Sequence, residues 1–180
     1  MNQSQIIKAV KYWLENTIIK FNFCPFAKRE FINQTIHYQV SEVIEEKGRL
    51  CVIAEQFKYL DRYSSIETSL VILPKGLENF FDYLDFLSLA EEAILQLGYE
   101  GVYQLASFHP DYCFEGLKQD DAANYTNRSP FPIIHILRES SLDKALEFHA
   151  NPESIPLTNI SVAREEGSTT FREILFSSLR

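Results

Sequence analysis

Residues 67–73, ETSLVIL, form a short apolar run that is closed by Pro74, Lys75 and Gly76. A run of this length that ends at turn residues predicts a buried strand. Residues 101–108, GVYQLASF, predict another strand. Residues 133–138, IIHILR, predict a third, with a helix that starts at Ser129-Pro130 as the alternative. Residues 35–43 alternate between apolar and polar side chains, which predicts a half-buried strand near a sheet edge.

Apolar residues at helical spacing predict helices between and around these strands. The predicted helices cover residues 4–21 with Ser4 as the cap, 25–31, 49–62, a segment from the cap Asn79 to the stop at Gly98, 141–149 and 169–179. Within 49–62, Cys51-Val52-Ile53 competes as a strand. The alternation of strands and helices predicts an α/β or α+β fold, with a single layer of about four strands and helices packed on it.

Length and composition indicate one domain over residues 1–180. The chain has 180 residues, of which 46% are hydrophobic, and a net charge of −8. This acidity argues against a nucleic-acid partner. The chain has no apolar run long enough to span a bilayer, so we expect no membrane partner. The chain has three cysteines and no CxxC pair, and its N-terminus does not resemble a secretory signal. These features predict a cytoplasmic protein.

A long polar segment, residues 109–132, HPDYCFEGLKQDDAANYTNRSPFP, separates two of the predicted strands. It shows no sustained period, and loops of this length inside a domain are usually functional or disordered. Its aromatic residues, Tyr112, Phe114, Tyr125 and Phe131, argue against disorder because they can pin the loop to the body of the domain. We therefore expect this loop to form a ligand pocket.

Several motifs together resemble one known family. They are NFCPFA from Asn22, QLASFHPDY from Gln104, FEG from Phe114, DDAANYTNRSPFP from Asp120 and HILRE from His135. By these motifs the chain resembles the bacterial family catalogued as domain of unknown function 1415. The resemblance covers nearly the whole chain. The resemblance implies no activity, because the family is named for its lack of an assigned one.

Cys24 is the first candidate catalytic residue. It precedes Pro25 at the start of a predicted helix, where backbone N–H groups and the helix dipole favour a thiolate and lower the pKa of the thiol. The segment from Phe23 to Ala27 is also similar to the active-site segment of omega-class glutathione transferases and glutaredoxins, although those families have a strand before it and this chain a helix. The alternative is a buried structural cysteine. We predict that Cys24 is more reactive than Cys51, in a helix stripe, or Cys113.

His109, Asp120, Asp121 and His135 form the second group of candidates. His109 follows a predicted strand, where ligands of α/β sheets gather, so we expect it to act as a general acid or base oriented by Asp120 or Asp121. His109, His135 and Asp121 are also candidate metal ligands. The alternatives are a core role for His135 and a turn or cap at the two aspartates.

Substrate-binding candidates are Asn124, Asn127, Arg128, Ser129 and Arg138. The planar guanidinium of arginine binds carboxylate or phosphate in a two-pronged geometry, and the amides and hydroxyl could orient the same ligand. In the alternative interpretation Arg128 bonds Asp120 or Asp121 and fastens the loop to the sheet.

Taken together, the residues favour a small cytoplasmic enzyme that acts on a small polar or anionic metabolite at the 109–132 loop. In this hypothesis His109, Arg128 and His135 surround one pocket, which Arg138 helps to cap and Cys24 flanks. Three alternatives stay open: a thiol-redox protein that uses Cys24, a metalloenzyme with histidine and aspartate ligands, and a non-catalytic ligand-binding or interaction module. The sequence specifies neither a cofactor nor an oligomeric state.

Overall fold

One mixed sheet organises the computed structural model, which describes residues 1–147 and 151–180. Over those residues the strands are Ile36–Val40 (β1), Thr68–Ile72 (β2), Tyr103–Phe108 (β3) and Ile133–Arg138 (β4). Their spatial order is β1-β2-β4-β3, with β1 parallel to β2 and β4 antiparallel to β2 and β3. The predicted single layer of four strands is confirmed, as is the edge position of β1.

Helices cover both faces of this sheet. The α-helices are Gln3–Trp13 (α1), Ala27–Asn33 (α2), Glu46–Arg62 (α3), Phe80–Gln96 (α4), Glu139–Leu146 (α5), Ile155–Glu166 (α6) and Ser168–Ser178 (α7). A π-helix, Leu14–Ile19, continues α1 directly, and 3₁₀ turns span Ala122–Thr126 and Pro152–Ser154. The helix expected at 141–149 starts earlier, and its last two predicted residues lie outside the described ranges.

Two local predictions at helix ends have different outcomes. Asn79 caps α4 as expected, because its side chain accepts hydrogen bonds from the backbone N–H groups of Phe81 and Asp82. The predicted cap Ser4 is wrong: Asn2 caps α1, and its side chain and that of Gln5 each accept a bond from the other's backbone N–H. This reciprocal pair satisfies two N–H groups that a helix start leaves unbonded.

Apolar side chains pack on both faces of the sheet. Leu70 of β2 packs with Trp13 under α1, whereas the next residue, Val71, packs with Tyr83 under α4. Successive side chains of a strand point to opposite faces, so each strand serves both cores. We call the face beneath α1 and the π-helix the α1 face, and the opposite one the α4 face.

Candidate functional site

A cavity on the α1 face holds several of the chemically competent side chains. It has about 400 Å3 of space not filled by atoms, which includes its opening to solvent, and it lies between the π-helix, the start of α2 and the sheet. Its polar lining consists of Cys24, Glu30, Thr68 and His135, and the other lining residues are apolar: Trp13, Leu14, Ile18, Phe26, Ala27, Ile36, Leu70 and Phe108. The structure thus brings two sequence-predicted residues, Cys24 and His135, to one apolar chamber.

The chain around Cys24 is held in place from both sides. The π-helix contributes Leu14 and Ile18 to the cavity wall, and such helices are frequent at functional sites. Asn22 then adopts a left-handed backbone conformation with φ of 55°, which turns the chain toward α2. The side chain of Asn159 in α6 donates a 2.7 Å hydrogen bond to the carbonyl of Phe23. Cys24 therefore sits on a fixed turn between two helices.

Two opposing effects act on the thiol of Cys24. Burial raises its pKa, because the cavity solvates a thiolate poorly. The backbone N–H groups of Phe26 and Ala27 lower it, as the helix-start argument expects, but the effect of burial is larger. The expected low pKa of the Cys24 thiol is therefore wrong, because burial favours the neutral thiol.

The imidazole of His135 is oriented by the strand beside it. Its Nε2 lies 2.6 Å from the hydroxyl oxygen of Thr68, and that hydroxyl donates a 2.6 Å bond to the carbonyl of Ile136. Because the Thr68 hydroxyl donates its proton to that carbonyl, it can only accept a hydrogen bond from His135. Nε2 of His135 is therefore the protonated nitrogen, and Nδ1 is the basic one. Burial lowers the pKa of His135 to about 4, so the ring is neutral at pH 7.

Glu30 brings a carboxylate to the cavity wall. It is only 1% exposed. One carboxylate oxygen accepts a 2.5 Å bond from Nε of Arg29, and the other accepts a bond from the hydroxyl of Thr35. Both oxygens thus have protein partners, so the buried charge is compensated.

His109 lies away from this cavity, on the α4 face. The centre of its ring lies 5.1 Å from the ring centre of Tyr83 and 5.2 Å from the ring centre of Phe80. Nε2 bonds the carbonyl of Leu77 at 2.9 Å, and Nδ1 accepts a 3.0 Å bond from the backbone N–H of Asp111. The expectation that His109 and His135 share one pocket is wrong, because the sheet separates them. Burial also lowers the pKa of His109, so it is a neutral ring with both nitrogens bonded.

The polar residues of the 109–132 loop bond mainly to the loop's own backbone. The side chain of Asn124, which is fully buried, accepts from the N–H of Phe114 and donates to the carbonyl of Lys118. Asn127 donates to the carbonyl of Ser107, and Ser129 to that of Phe131. A long loop must satisfy many backbone groups, and these side chains do so.

Arg128 fastens the same loop. Its Nε donates to the carbonyl of Tyr112 at 3.0 Å, and its Nη2 to the carbonyl and side-chain oxygens of Gln119 at 2.8 and 3.0 Å. The guanidinium lies 4.7 Å from the ring centre of Tyr125. Trp13 donates a 2.8 Å bond to the carbonyl of Arg128 and ties the loop to α1. Arg128 thus fastens the loop, but not as expected. The prediction that it bonds Asp120 or Asp121 is wrong, because its guanidinium bonds carbonyl and amide oxygens instead.

Asp121 caps the 3₁₀ turn that follows it, through a 2.9 Å bond from the N–H of Ala123. It also accepts two bonds, of 3.1 and 2.8 Å, from the guanidinium of Arg164 in α6. This ion pair keeps the pKa of Asp121 below its usual value. Asp120 is exposed. Neither aspartate bonds to His109, so the expected orienting contact is not formed.

Arg138 lies at the opposite end of the sheet from the loop. It is paired in register with Tyr103, the first residue of β3, whereas the loop follows the last residue of that strand. Its guanidinium donates to the carbonyls of Leu60 and Ile66 and to the hydroxyl of Tyr103. The prediction that Arg138 caps the loop pocket is therefore wrong, because it fastens the C-terminal end of α3.

The proposed metal ligands do not come together. His109 and His135 lie on opposite faces, and Asp121 pairs with Arg164. Within 1–147 and 151–180, no three side chains of histidine, cysteine, aspartate or glutamate cluster as a metal would require.

The other two cysteines lie outside the cavity. Cys51 is exposed on α3, although its place in the helical stripe predicted burial. Its neighbour Leu50 packs on the α4 face instead. The thiol of Cys113 donates to the carbonyls of Phe114 and Leu117 within the loop.

Sequence reasoning missed Thr68 and Glu30. Thr68 occupies the first position of a strand, and only its pairing with β4 places its hydroxyl beside His135. Glu30 is one acidic residue in a short helix, and no local pattern distinguishes it from a solvated one. The π-helix had no signal either, since Leu14 and Ile18 also fit an uninterrupted α-helix.

The chain matches the family described as protein of unknown function (DUF1415) over residues 5–173. It therefore belongs to this family, which confirms the resemblance of its motifs. No curated protein and no solved structure matches the chain. Among the helices of the described residues, none has the length and apolar character needed to cross a membrane.

Proposed function

We propose that this protein is a cysteine-dependent acyl-transfer enzyme whose active site is the cavity on the α1 face. The observation that carries the proposal is the presence of Cys24 and His135 in the wall of one apolar cavity. A nucleophile, a neutral base and a group that orients the base are the parts that nucleophilic catalysis requires. Cys24, His135 and Thr68 would take these three roles.

The proposed reaction starts from the neutral pair. Nδ1 of His135 accepts the proton of the Cys24 thiol as the sulfur forms a bond to the acyl carbon of the substrate. The carbonyl electrons move to oxygen, and their return expels the leaving group, which takes the proton from His135. Water then releases the acyl group from sulfur by the same sequence in reverse, with His135 again the base.

The resting protonation states suit this order of events. Burial raises the pKa of Cys24 and lowers that of His135, so an ion pair between them is disfavoured before substrate arrives. Proton transfer is then coupled to attack on the substrate. The N–H groups of Phe26 and Ala27 favour negative charge at the sulfur when it is the leaving group in the second step. A reducing compartment such as the cytoplasm would keep the thiol free.

The 109–132 loop is less suited to be the active site. The donors of Asn124, Asn127, Arg128 and Ser129 already bond protein oxygens. An anionic metabolite would have to compete with those acceptors. The loop supports the cavity wall instead, since the indole N–H of Trp13 donates to the carbonyl of Arg128.

The proposal is tested with p-nitrophenyl acetate, an activated ester whose acetyl group is small enough for the cavity. We expect a burst of one p-nitrophenolate per chain and an acetyl group on Cys24 by peptide mapping. Cys24→Ala should abolish the burst. The matched control Cys51→Ala removes the exposed thiol and should leave it unchanged. A burst that survives in Cys24→Ala would overturn the proposal, as would acetylation confined to Cys51.

Two further variants test the base and its orientation. His135→Gln should slow acetylation of Cys24 by about 100-fold or more, because general-base catalysis contributes at least that much. Thr68→Val should slow acetylation less, because the imidazole of His135 is still present and loses only the hydrogen bond that orients it. A non-catalytic binding protein would instead give equal acetylation rates in the original protein and in both variants.

A further inference from the structure

A second, more polar groove adjoins the cavity on the α1 face. It runs beside β1 and is lined by Lys11, Glu30, Phe31, Gln34, Ile36 and Tyr38. Glu30 and Ile36 also line the cavity, so the two spaces meet at these residues. A molecule that enters the cavity along the groove would have one end in each.

The two spaces differ in chemical character. The cavity is the narrower of the two, and most of its lining is apolar. The groove is roomier and carries the ammonium of Lys11, the amide of Gln34 and the phenol of Tyr38. An occupant that satisfies both is a small molecule with an apolar part and a polar end.

Lys11 decides the charge of that end. Its ammonium lies 4.9 Å from the ring centre of Tyr38, and no carboxylate in the described part of the chain pairs with it. The nearby carboxylate of Glu30 is already bonded to Arg29 and Thr35. On a chain with a net charge of −8, an uncompensated cation beside a cavity entrance favours an anion.

We propose that the substrate is a short-chain acyl compound that also bears a carboxylate, with the carboxylate in the groove beside Lys11 and the acyl carbon in the cavity beside Cys24. This inference rests on the proposed function, and it adds the class of substrate. The carboxylate end would bind near the protein surface and be partly solvated, and the apolar body would displace water from the cavity.

The test compares hexanoate with its uncharged analogue hexanamide as protectants of Cys24 against alkylation by iodoacetamide. A partly exposed ion pair favours binding by about two- to fivefold, so hexanoate should protect at correspondingly lower concentration. Lys11→Gln should remove this preference and leave protection by hexanamide unchanged. The matched control Lys8→Gln alters a lysine of the same helix that does not line the groove, and should retain the preference.

The outcomes separate this inference from the proposed function. Any of three results would overturn the substrate class: equal protection by both compounds, a preference for hexanoate that survives Lys11→Gln, or protection by neither compound. The proposed function would stand in each case if Cys24 is alkylated in the folded protein, because its thiol is then accessible. If Cys24 reacts only after unfolding in urea while Cys51 is alkylated in the folded protein, the proposed function fails and the substrate class fails with it.

Discussion

His135 makes the stability of the fold depend on pH in a defined direction. Its pKa is lowered to about 4 in the folded protein by burial, whereas an unfolded chain has a value near 6.5. Between these values the unfolded state binds more protons than the folded state, so stability rises with pH. The stabilisation is fully present above about pH 6.5 and is lost as the pH falls toward 4.

The size of the effect follows from the difference between the two pKa values. One pKa unit corresponds to about 1.4 kcal/mol, so a difference of about 2.5 units corresponds to at most about 3.5 kcal/mol. His135 lines a cavity and is only partly buried, which makes this figure an upper bound. For a chain of this length, the midpoint of thermal unfolding would fall by at most roughly 7–14 °C.

The assay is urea unfolding of the original protein and His135→Gln at about pH 7.5 and at about pH 4.5. Glutamine does not titrate and has an N–H that can still donate to Thr68. Carboxylates, His109 and His37 titrate alike in both proteins, so the difference between the two pH dependences isolates His135. We expect the original protein to lose up to about 3 kcal/mol more than the variant on acidification. Equal losses in the two proteins would refute the assignment of a buried, neutral imidazole.

Other predictions concern residues outside the cavity. Arg128→Ala should lower the free energy of unfolding by about 3 kcal/mol, because it removes three hydrogen bonds from a charged donor, whereas Arg164→Ala, which removes the exposed pair with Asp121, should cost under about 1 kcal/mol. Similar losses in urea unfolding would contradict this. His109→Leu leaves the carbonyl of Leu77 without its partner and should cost about 2–3 kcal/mol, while the p-nitrophenyl acetate burst of the folded variant persists. Loss of the burst from a stably folded variant would instead support the catalytic role that the sequence suggested.

The strands were predictable because their signals are local. Residues 67–73 and 133–138 are short apolar runs. The ends of β2 and β4 differ from these predicted ranges by no more than one residue. The order of helices and strands through β4 follows from such runs and from breakers such as Pro74 and Gly98. Helix α6 was missed because only Ala163 of its residues is buried, which leaves almost no periodic pattern to detect.

The candidate site was predictable only in part. Cys24 and His135 were recognisable as candidates by residue type and position. The polar residues of the 109–132 loop carried a similar signal for ligand binding, although side chains such as Asn124 and Arg128 serve the loop's own backbone. Residue type alone does not distinguish a donor that binds a ligand from one that satisfies a neighbouring carbonyl, because the chemistry is the same.

The sequence by itself determined the four strands, most of the helices, the net negative charge and the membership of a family. Tertiary structure decided which side chains meet. His135 faces Thr68 and the cavity because β4 lies between β2 and β3, with His135 opposite Leu70 and Ala106. His109, one residue beyond the end of β3, packs against α4 instead. A shift of one residue reverses the face to which a strand side chain points, and register is set by pairing between segments distant in the chain. No local pattern contains that information.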